Sequence, residues 1–398
     1  MSQNNKYLCK RKWQAKKLSF LFIVMRLFPV RKNKVVFSTF EGDGGFCCNP
    51  RYIAEELYSR NKKLKLIWLT RKSSEDFPPY ITVKKYSTLN IVYHLSTAKV
   101  WVDNYRKPFG TLKRKNQLYI QTWHASFGFK AVGLFRGSLF PPIARLVSEW
   151  DSNLIDYMVS NSAYCDRIYP KKILYNGPTI RSGSPRVDCL INQRMGLHNA
   201  LCKKLLLDTE VHFLLFAPTF RGGNQKGKKN VVSENISIDF MRLFAILQKK
   251  FGGEWKILLR LHPQLSAILD KMPFEGKNEN IIDVSQFSDM SQVLGASDIL
   301  ITDYSSCAFD AAFAKIPVFL YADDIQKYIA DRGEFMWKRE EIPFSIAETN
   351  EELEKNINDY SKLNYEKRID CFMAEHEVLE DGHASERIFN FIENILCM

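Results

Sequence analysis

Nine cysteines are spread through the 398 residues without a CxxC pair or any regular His/Cys spacing, so neither a zinc site nor a disulfide framework is written into the chain. Cys47 and Cys48 are adjacent, which suits neither arrangement; unpaired, mostly buried thiols in a reducing cytoplasm are the expectation. No acidic residue occurs before Glu41. No apolar run approaches the roughly 20 residues needed to cross a bilayer. The best candidate, LSFLFIVMRLFPV at 18–30, is interrupted by Arg26 and leads into more basic residues, with no small-residue cleavage site behind it. Internal repeats, low-complexity tracts and nucleic-acid-binding signatures are all missing. So is any cluster of carboxylates able to cage magnesium, and the chemistry is expected to need neither a metal nor a cofactor.

What is present is a chain long enough for two domains of about 150–200 residues. Its composition, 45% hydrophobic and 25% charged, is that of a soluble globular protein. The net charge of +13 is uneven: ten Lys and Arg in residues 1–40 with no acid give +10 there, leaving +3 for the rest. With Trp13 just upstream of the apolar stretch, residues 1–33 read as a basic amphipathic segment that lies on an anionic membrane surface through residues 6–34. That places the protein peripherally on the cytoplasmic face of the membrane. The alternative is a first helix packed on the domain with a solvated basic face. A nucleic-acid arm is disfavoured because the body is nearly neutral.

From residue 34 onward, strand-like and helix-like segments alternate, the pattern of an α/β fold with parallel sheets. Strands are expected over 34–40, 64–70, 99–103, 117–122 and 156–160, with a turn-rich stretch at 178–185. A second set follows at 211–217, 255–261, 281–284, 299–302 and 318–321. Residues 222–230, rich in Gly, Lys and Asn, read as a loop, and 365–396 as one or two helices. The expected architecture is two doubly wound Rossmann-type domains, 34–196 and 197–398, facing a central cleft. In such sheets ligands bind beyond the carboxyl ends of the strands. Polar residues gather there: His124, then Thr219 and Arg221, then His262, then Asp303, Tyr304, Ser305 and Ser306.

The stretch SDILITDYSSCAFD at 297–310 is the most telling of these. A short apolar strand runs into a hydroxyl-rich turn and then a helix, a ready anion site because first-turn amides lack partners and the helix dipole favours negative charge. The plainer reading is that Ser305 or Ser306 is an N-cap.

These clusters, in this order, resemble the CDP-glycerol glycerophosphotransferase family of bacterial teichoic acid and capsule synthesis. NPRYIAEEL (49–57), VWVDNYRKP (100–108), QTWHASFGFKAVG (121–133) and GSPRVD (183–188) are similar to its amino-domain segments. APTFRG (217–222), LRLHP (259–263), DVSQFSDM (283–290) and ILITDYSSCAFD (299–310) are similar to its carboxyl-domain motifs, with RGEF (332–335) and DGHASERI (381–388) following. Ala125, Ser126 and Phe127 depart from the Gly-Thr-Pro usual after the histidine, and Phe344-Ser345 stand where Gly-Pro is more usual.

The resemblance implies a GT-B-like pair of domains, the nucleotide held mainly by the carboxyl one. It also implies transfer of a polyol phosphate from CDP-glycerol to a hydroxyl of a lipid-linked acceptor, releasing CMP. Phosphoryl transfer asks for positioning and charge compensation. His124 is the expected general base. His262 is expected to stabilise charge on the departing phosphate beside Arg260, with Arg221 as a phosphate clamp. Ser305 and Ser306 are expected to bind phosphate, and Asp303 to orient His262 or a neighbouring backbone group. The Asp381-Gly382-His383 element reads as a helix boundary. Alternatives are a CDP-ribitol donor, a sugar-nucleotide glycosyltransferase of the same architecture, and a non-catalytic membrane adaptor.

Overall fold

The computed structural model describes residues 3–219, 237–261 and 279–397. Strands and helices alternate around two sheets whose paired strands all run parallel. The first sheet holds β1 (Arg31–Ser38), β2 (Lys65–Thr70), β3 (Ile81–Lys85), β4 (Ala98–Asp103), β5 (Leu118–Gln121), β6 (Tyr157–Ser160) and β7 (Thr179–Arg181), in the order β3-β2-β1-β4-β5-β6-β7. The second holds β8 (His212–Ala217), β9 (Trp255–Leu259), β10 (Ile281–Asp283), β11 (Ile299–Thr302), β12 (Val318–Tyr321) and β13 (Ser345–Ala347), in the order β10-β9-β8-β11-β12-β13. Both orders reverse direction once, between β1 and β4 and between β8 and β11. At such a reversal the loops diverge to opposite faces and leave a crevice at the carboxyl edge.

The central strands are apolar along most of their length because helices cover both faces of a parallel sheet. The last five residues of β1 and of β2, and all of β9 and β11, are buried. Phe37 and Trp68 stack with ring centroids 5.3 Å apart, and Ile53, Leu57, Val100, Val102 and Ile120 close around them. Each such side chain contributes about 1.5–3 kcal/mol on leaving water. The second core is built likewise from Leu214, Phe216, Phe240, Ile257, Leu259 and Ile301.

Three strands were not expected from the sequence: β3, β7 and β13. Two of these are only three residues long, β3 is five, and all three are partly exposed. Residues 178–185, read as a turn-rich stretch, contain β7. The linear division at 196/197 is also redrawn. One unit comprises 1–126, 131–188 and 377–398, and the other comprises 127–130 and 189–376. The final helix, Ala384–Cys397, therefore belongs to the first sheet's unit. Ile388, Phe389 and Ile392 are buried in its core.

The basic amino-terminal segment forms a helix, Gln3–Val24, and β1 begins at Arg31. Ala15 and Phe22 are buried, Ser19 Oγ donates to the Gly110 carbonyl at 2.8 Å, and Arg114 Nη2 donates to the carbonyls of Met25 and Phe28. Trp13, Phe20 and Ile23 are exposed, at 57%, 63% and 52%, and Lys17 Nζ lies 3.4 Å from the Trp13 ring centroid. The helix is thus packed on the first unit along one face and apolar as well as basic along its open face.

Gly110 has a φ of +100°, and a Cβ there would lie 2.3 Å from the Ala15 carbonyl oxygen. Gly110→Ala is therefore expected to destabilise the chain by about 1–3 kcal/mol, read from the urea midpoint. Proteolysis within Lys10–Lys17 should accelerate by at least about tenfold; unchanged cleavage would mean that the helix is not anchored there.

Candidate active site

The carboxyl ends of β1, β4 and β5 lie side by side, with Ser38 in register with Asp103 and Asp103 with Gln121. Asp103 is the anchor. Its carboxylate accepts hydrogen bonds from Ser38 Oγ and Lys107 Nζ, and from the Tyr105 amide at 2.9 Å. Its carbonyl accepts the amide of Thr122 at 2.8 Å. The Asp103 and Lys107 side chains are 4% and 2% exposed. Removing one partner of such a pair strands the other's charge, at a cost of about 3–5 kcal/mol. The Lys107 amide and the Tyr119 hydroxyl donate to Asp151, whose carboxyl burial pushes up to about 7.

Against this frame sits His124, beyond β5 rather than beyond the fourth strand, because β3 precedes it. Trp123 adopts a φ of +52°, rare for an aromatic residue. Its amide donates to Gln121 Oε1 at 2.9 Å, and its carbonyl accepts from Asn49 Nδ2 at 3.2 Å. The strained peptide delivers His124 Nδ1 to the Asn104 carbonyl at 2.9 Å. A carbonyl can only accept, so Nδ1 carries the proton and Nε2 keeps its lone pair. The rings of Phe40, Tyr105 and Trp123 surround the half-buried imidazole with centroids 5.3, 5.7 and 4.6 Å away. Burial, with a smaller effect from Arg186, Lys172 and Arg106, holds its pKa down to about 4, against the raising influence of the Asn104 hydrogen bond. His124 is therefore neutral at physiological pH, as a general base must be before it accepts a proton.

Several residues of this site carry no catalytic signature in sequence. Asn49 Oδ1 accepts the Arg186 amide at 3.1 Å while its Nδ2 holds the Trp123 carbonyl, so one side chain joins NPRYIAEEL, QTWH and GSPRVD. Lys172 Nζ donates to the carbonyls of Ala125 and Ser126 at 2.7 and 2.8 Å, and burial lowers its pKa to about 8. The signal available was that Asn49, Asn104, Arg106 and Arg186 all lie inside the recognisable segments. The carboxyl tail supports the same region. Glu380 accepts from Asn161 Nδ2 and the Ser184 amide, and Asp188 accepts from the amides of Ala384 and Ser385. Asp381 pairs with Arg387 where the last helix begins, so the 381–383 element stands at a helix boundary.

In the other unit, buried Asp303 follows β11 and accepts the Thr219 amide on both carboxylate oxygens at 2.9 Å, and the Tyr304 amide as well. It ties the exits of β8 and β11 together through backbone, one of the two roles expected for it. Ser305 and Ser306 are half-buried. Ser305 Oγ accepts the Cys307 amide at 3.5 Å, whereas Ser306, at the N-cap of Cys307–Phe313, makes no side-chain capping bond. A Cβ on Gly128 would lie 3.8 Å from Ser306 Cβ. Arg260 Nη1 donates to the Val284 carbonyl at 3.2 Å. A cavity of about 560 Å³ opens beside Asp303 and Tyr304, walled by Phe335, Trp337, Lys338 and Arg339. Arg221 and His262 lie outside the described residues. Among the described residues no three His, Cys, Asp or Glu side chains gather as a metal site.

The sequence profile described as CDP-glycerol:poly(glycerophosphate) glycerophosphotransferase matches residues 19–394. A teichoic acid poly(glycerol phosphate) polymerase of Bacillus subtilis is 28% identical over 96% of this chain and 52% of its own length. A teichoic acid poly(ribitol-phosphate) polymerase of Bacillus spizizenii is 29% identical over 96% of this chain and 60% of its own. The chain thus spans a little over half the length of these two relatives. Among solved structures, a histidine variant of the wall teichoic acid polymerase TagF, soaked with CDPG, superposes with a TM-score of 0.79 at 25% identity, covering 100% of this chain and 99% of that one.

The hydrogen bond and burial at His124 set a direct expectation for NMR. The imidazole, assigned by difference from His124→Asn, should hold the Nδ1–H tautomer and titrate with a midpoint of about 4. An ordinary midpoint near ~6.5 would contradict the geometry.

Proposed function

We propose that this chain, which belongs to the CDP-glycerol:poly(glycerophosphate) glycerophosphotransferase family, transfers glycerol phosphate from CDP-glycerol to a hydroxyl of a lipid-linked acceptor, releasing CMP, in teichoic acid synthesis. The observation that carries the reading is the His124 imidazole: neutral, oriented through Nδ1, and left with a free Nε2 lone pair. In the reaction the acceptor hydroxyl gives its proton to Nε2 and its oxygen forms a bond to the distal phosphorus. The bond from that phosphorus to the bridging oxygen breaks, and CMP departs with the electron pair. Positioning and charge compensation are then the protein's contribution.

Donor binding falls to the unit around β11. Ser305 and Ser306 offer hydroxyls to the diphosphate, with Arg260 and Arg221 as its charged partners and His262 stabilising charge on the departing phosphate. Asp303 acts one step back, holding the Thr219 and Tyr304 amides. CDP-ribitol is the second donor to test, since it presents the same diphosphate and a poly(ribitol-phosphate) polymerase is 29% identical to this chain.

The amino-terminal helix is the membrane contact in this reading. Its open face combines Trp13, Phe20 and Ile23 with Lys10, Lys16 and Lys17, the composition that settles on an anionic leaflet. No helix among the described residues is long and apolar enough to cross a membrane. The lipid-linked acceptor would be met at the cytoplasmic surface.

His124→Ala should lower CMP release by about 10²–10⁴-fold and leave donor affinity within about twofold, whereas Ser305→Ala with Ser306→Ala should weaken CDP-glycerol binding by at least about tenfold in calorimetry. Near wild-type turnover in the first variant would remove the base assignment, and unchanged affinity in the second the phosphate role. Trp13→Glu combined with Phe20→Glu should abolish co-sedimentation with phosphatidylglycerol vesicles. Retained binding would place the membrane contact elsewhere.

A further inference from the structure

The stretch Asp103–Lys107 supplies a buried anchor, the carbonyl that orients His124, and two donors that nothing in the reaction above has used. Asn104 is fully buried, and its Oδ1 accepts the Phe40 amide at 2.9 Å, yet its Nδ2 has no hydrogen-bond partner. Two residues on, Arg106 Nη2 is likewise shielded from water and unpartnered. The Arg106 guanidinium sits 5.2 Å from the Trp123 ring centroid. Asp151 and Glu41 act on it electrostatically without bonding to it, and Asp151 is already engaged by the Lys107 amide and the Tyr119 hydroxyl. Leaving buried donors unpaired is destabilising, and two of them two residues apart in one stretch call for an explanation.

Their surroundings say what would satisfy them. Tyr105, between the two, stacks on Trp123 (centroids 6.2 Å apart, planes 6° apart) and on His124 (5.7 Å, 25°), so both donors belong to the wall that holds the base. Arg106, Lys172 and Arg186 all depress the His124 pKa, which marks the local field as positive. A guanidinium fork and a fixed amide donor on one short stretch suit a tetrahedral anion, whose oxygens can accept from both. Asn104 is the rigid half of the pair, clamped through Phe40. Arg106 is the adaptable half, half-buried and held against an aromatic face.

We infer that Asn104 and Arg106 form a phosphate-binding subsite beside His124, and that its ligand is the phosphodiester of the acceptor, one glycerol unit behind the attacking hydroxyl. The identity of the ligand rests on the proposed reaction: a glycerol phosphate chain carries a phosphodiester three carbons from its terminal hydroxyl, and the group that His124 deprotonates is that hydroxyl. The subsite registers the chain end on the base and favours an acceptor that already bears phosphate.

The test is calorimetric titration of the full chain, without donor, with a synthetic glycerol phosphate trimer. Arg106→Gln keeps the stem and removes the charge, while Asn104→Asp keeps the acceptor for the Phe40 amide and replaces the free donor by a carboxylate. Each is expected to weaken trimer binding by at least about tenfold while CDP-glycerol affinity stays within about twofold. In turnover with CDP-glycerol, KM for the trimer should rise by a similar factor and that for a phosphate-free polyol acceptor should not. Trimer affinity unchanged in Arg106→Gln, or an equal loss for CDP-glycerol, would overturn the subsite. If the wild-type chain releases no CMP while the variants still lose the trimer, the proposed reaction falls and the anion site stands.

Discussion

One hydrogen bond, from His124 Nδ1 to the carbonyl of Asn104, fixes which imidazole nitrogen is free to react. It depends on two constraints upstream. The Trp123 backbone must stay in a left-handed conformation that its side chain disfavours, and the Asn104 peptide must stay where Asp103 puts it. Gln121 and Asn49 enforce the first, and the buried Asp103–Lys107–Ser38 cluster enforces the second. Both are products of the strand reversal between β1 and β4, which brings Ser38, Asp103 and Gln121 to one edge in register. Topology supplies the crevice, and buried polar contacts set the orientation of the imidazole within it.

The second sheet repeats the device with a simpler fastening. Asp303 bridges the exits of β8 and β11 by accepting two backbone amides, and the serine-bearing turn follows directly. In each unit an aspartate at the end of the fourth strand along the chain, or just past it, uses its carboxylate on the frame. At Asp303 these backbone donors offset the cost of burying the carboxylate.

Central strands were legible because parallel strands covered on both faces are written as unbroken apolar runs, as in β1, β4, β8 and β11. Of the four edge strands only β10 was; β3, β7 and β13 were not, because they are short and half-solvated and lack an unbroken apolar run. The return of the tail onto the first unit was illegible for a different reason. Glu380 and Asn161 meet across 219 positions, and no local period encodes that pairing. His124 and the serine pair stood out by residue type. Asn49, Asn104 and Arg106 did not, since they work through a carbonyl, a buried amide and an unspent guanidinium, none of which residue identity reveals. The amino-terminal segment was legible in charge and apolar content, but its docking through Ala15 and Phe22 against Gly110 required coordinates.

The most direct measurement of the central claim is the pH dependence of kcat/KM for CMP release. An imidazole held neutral down to about 4 predicts a rate that stays flat as pH falls through 6.5, with the acid limb centred near 4. The residual rate of His124→Asn should lack that limb. An acid limb near 6.5 that survives in His124→Asn would show that another group carries the proton.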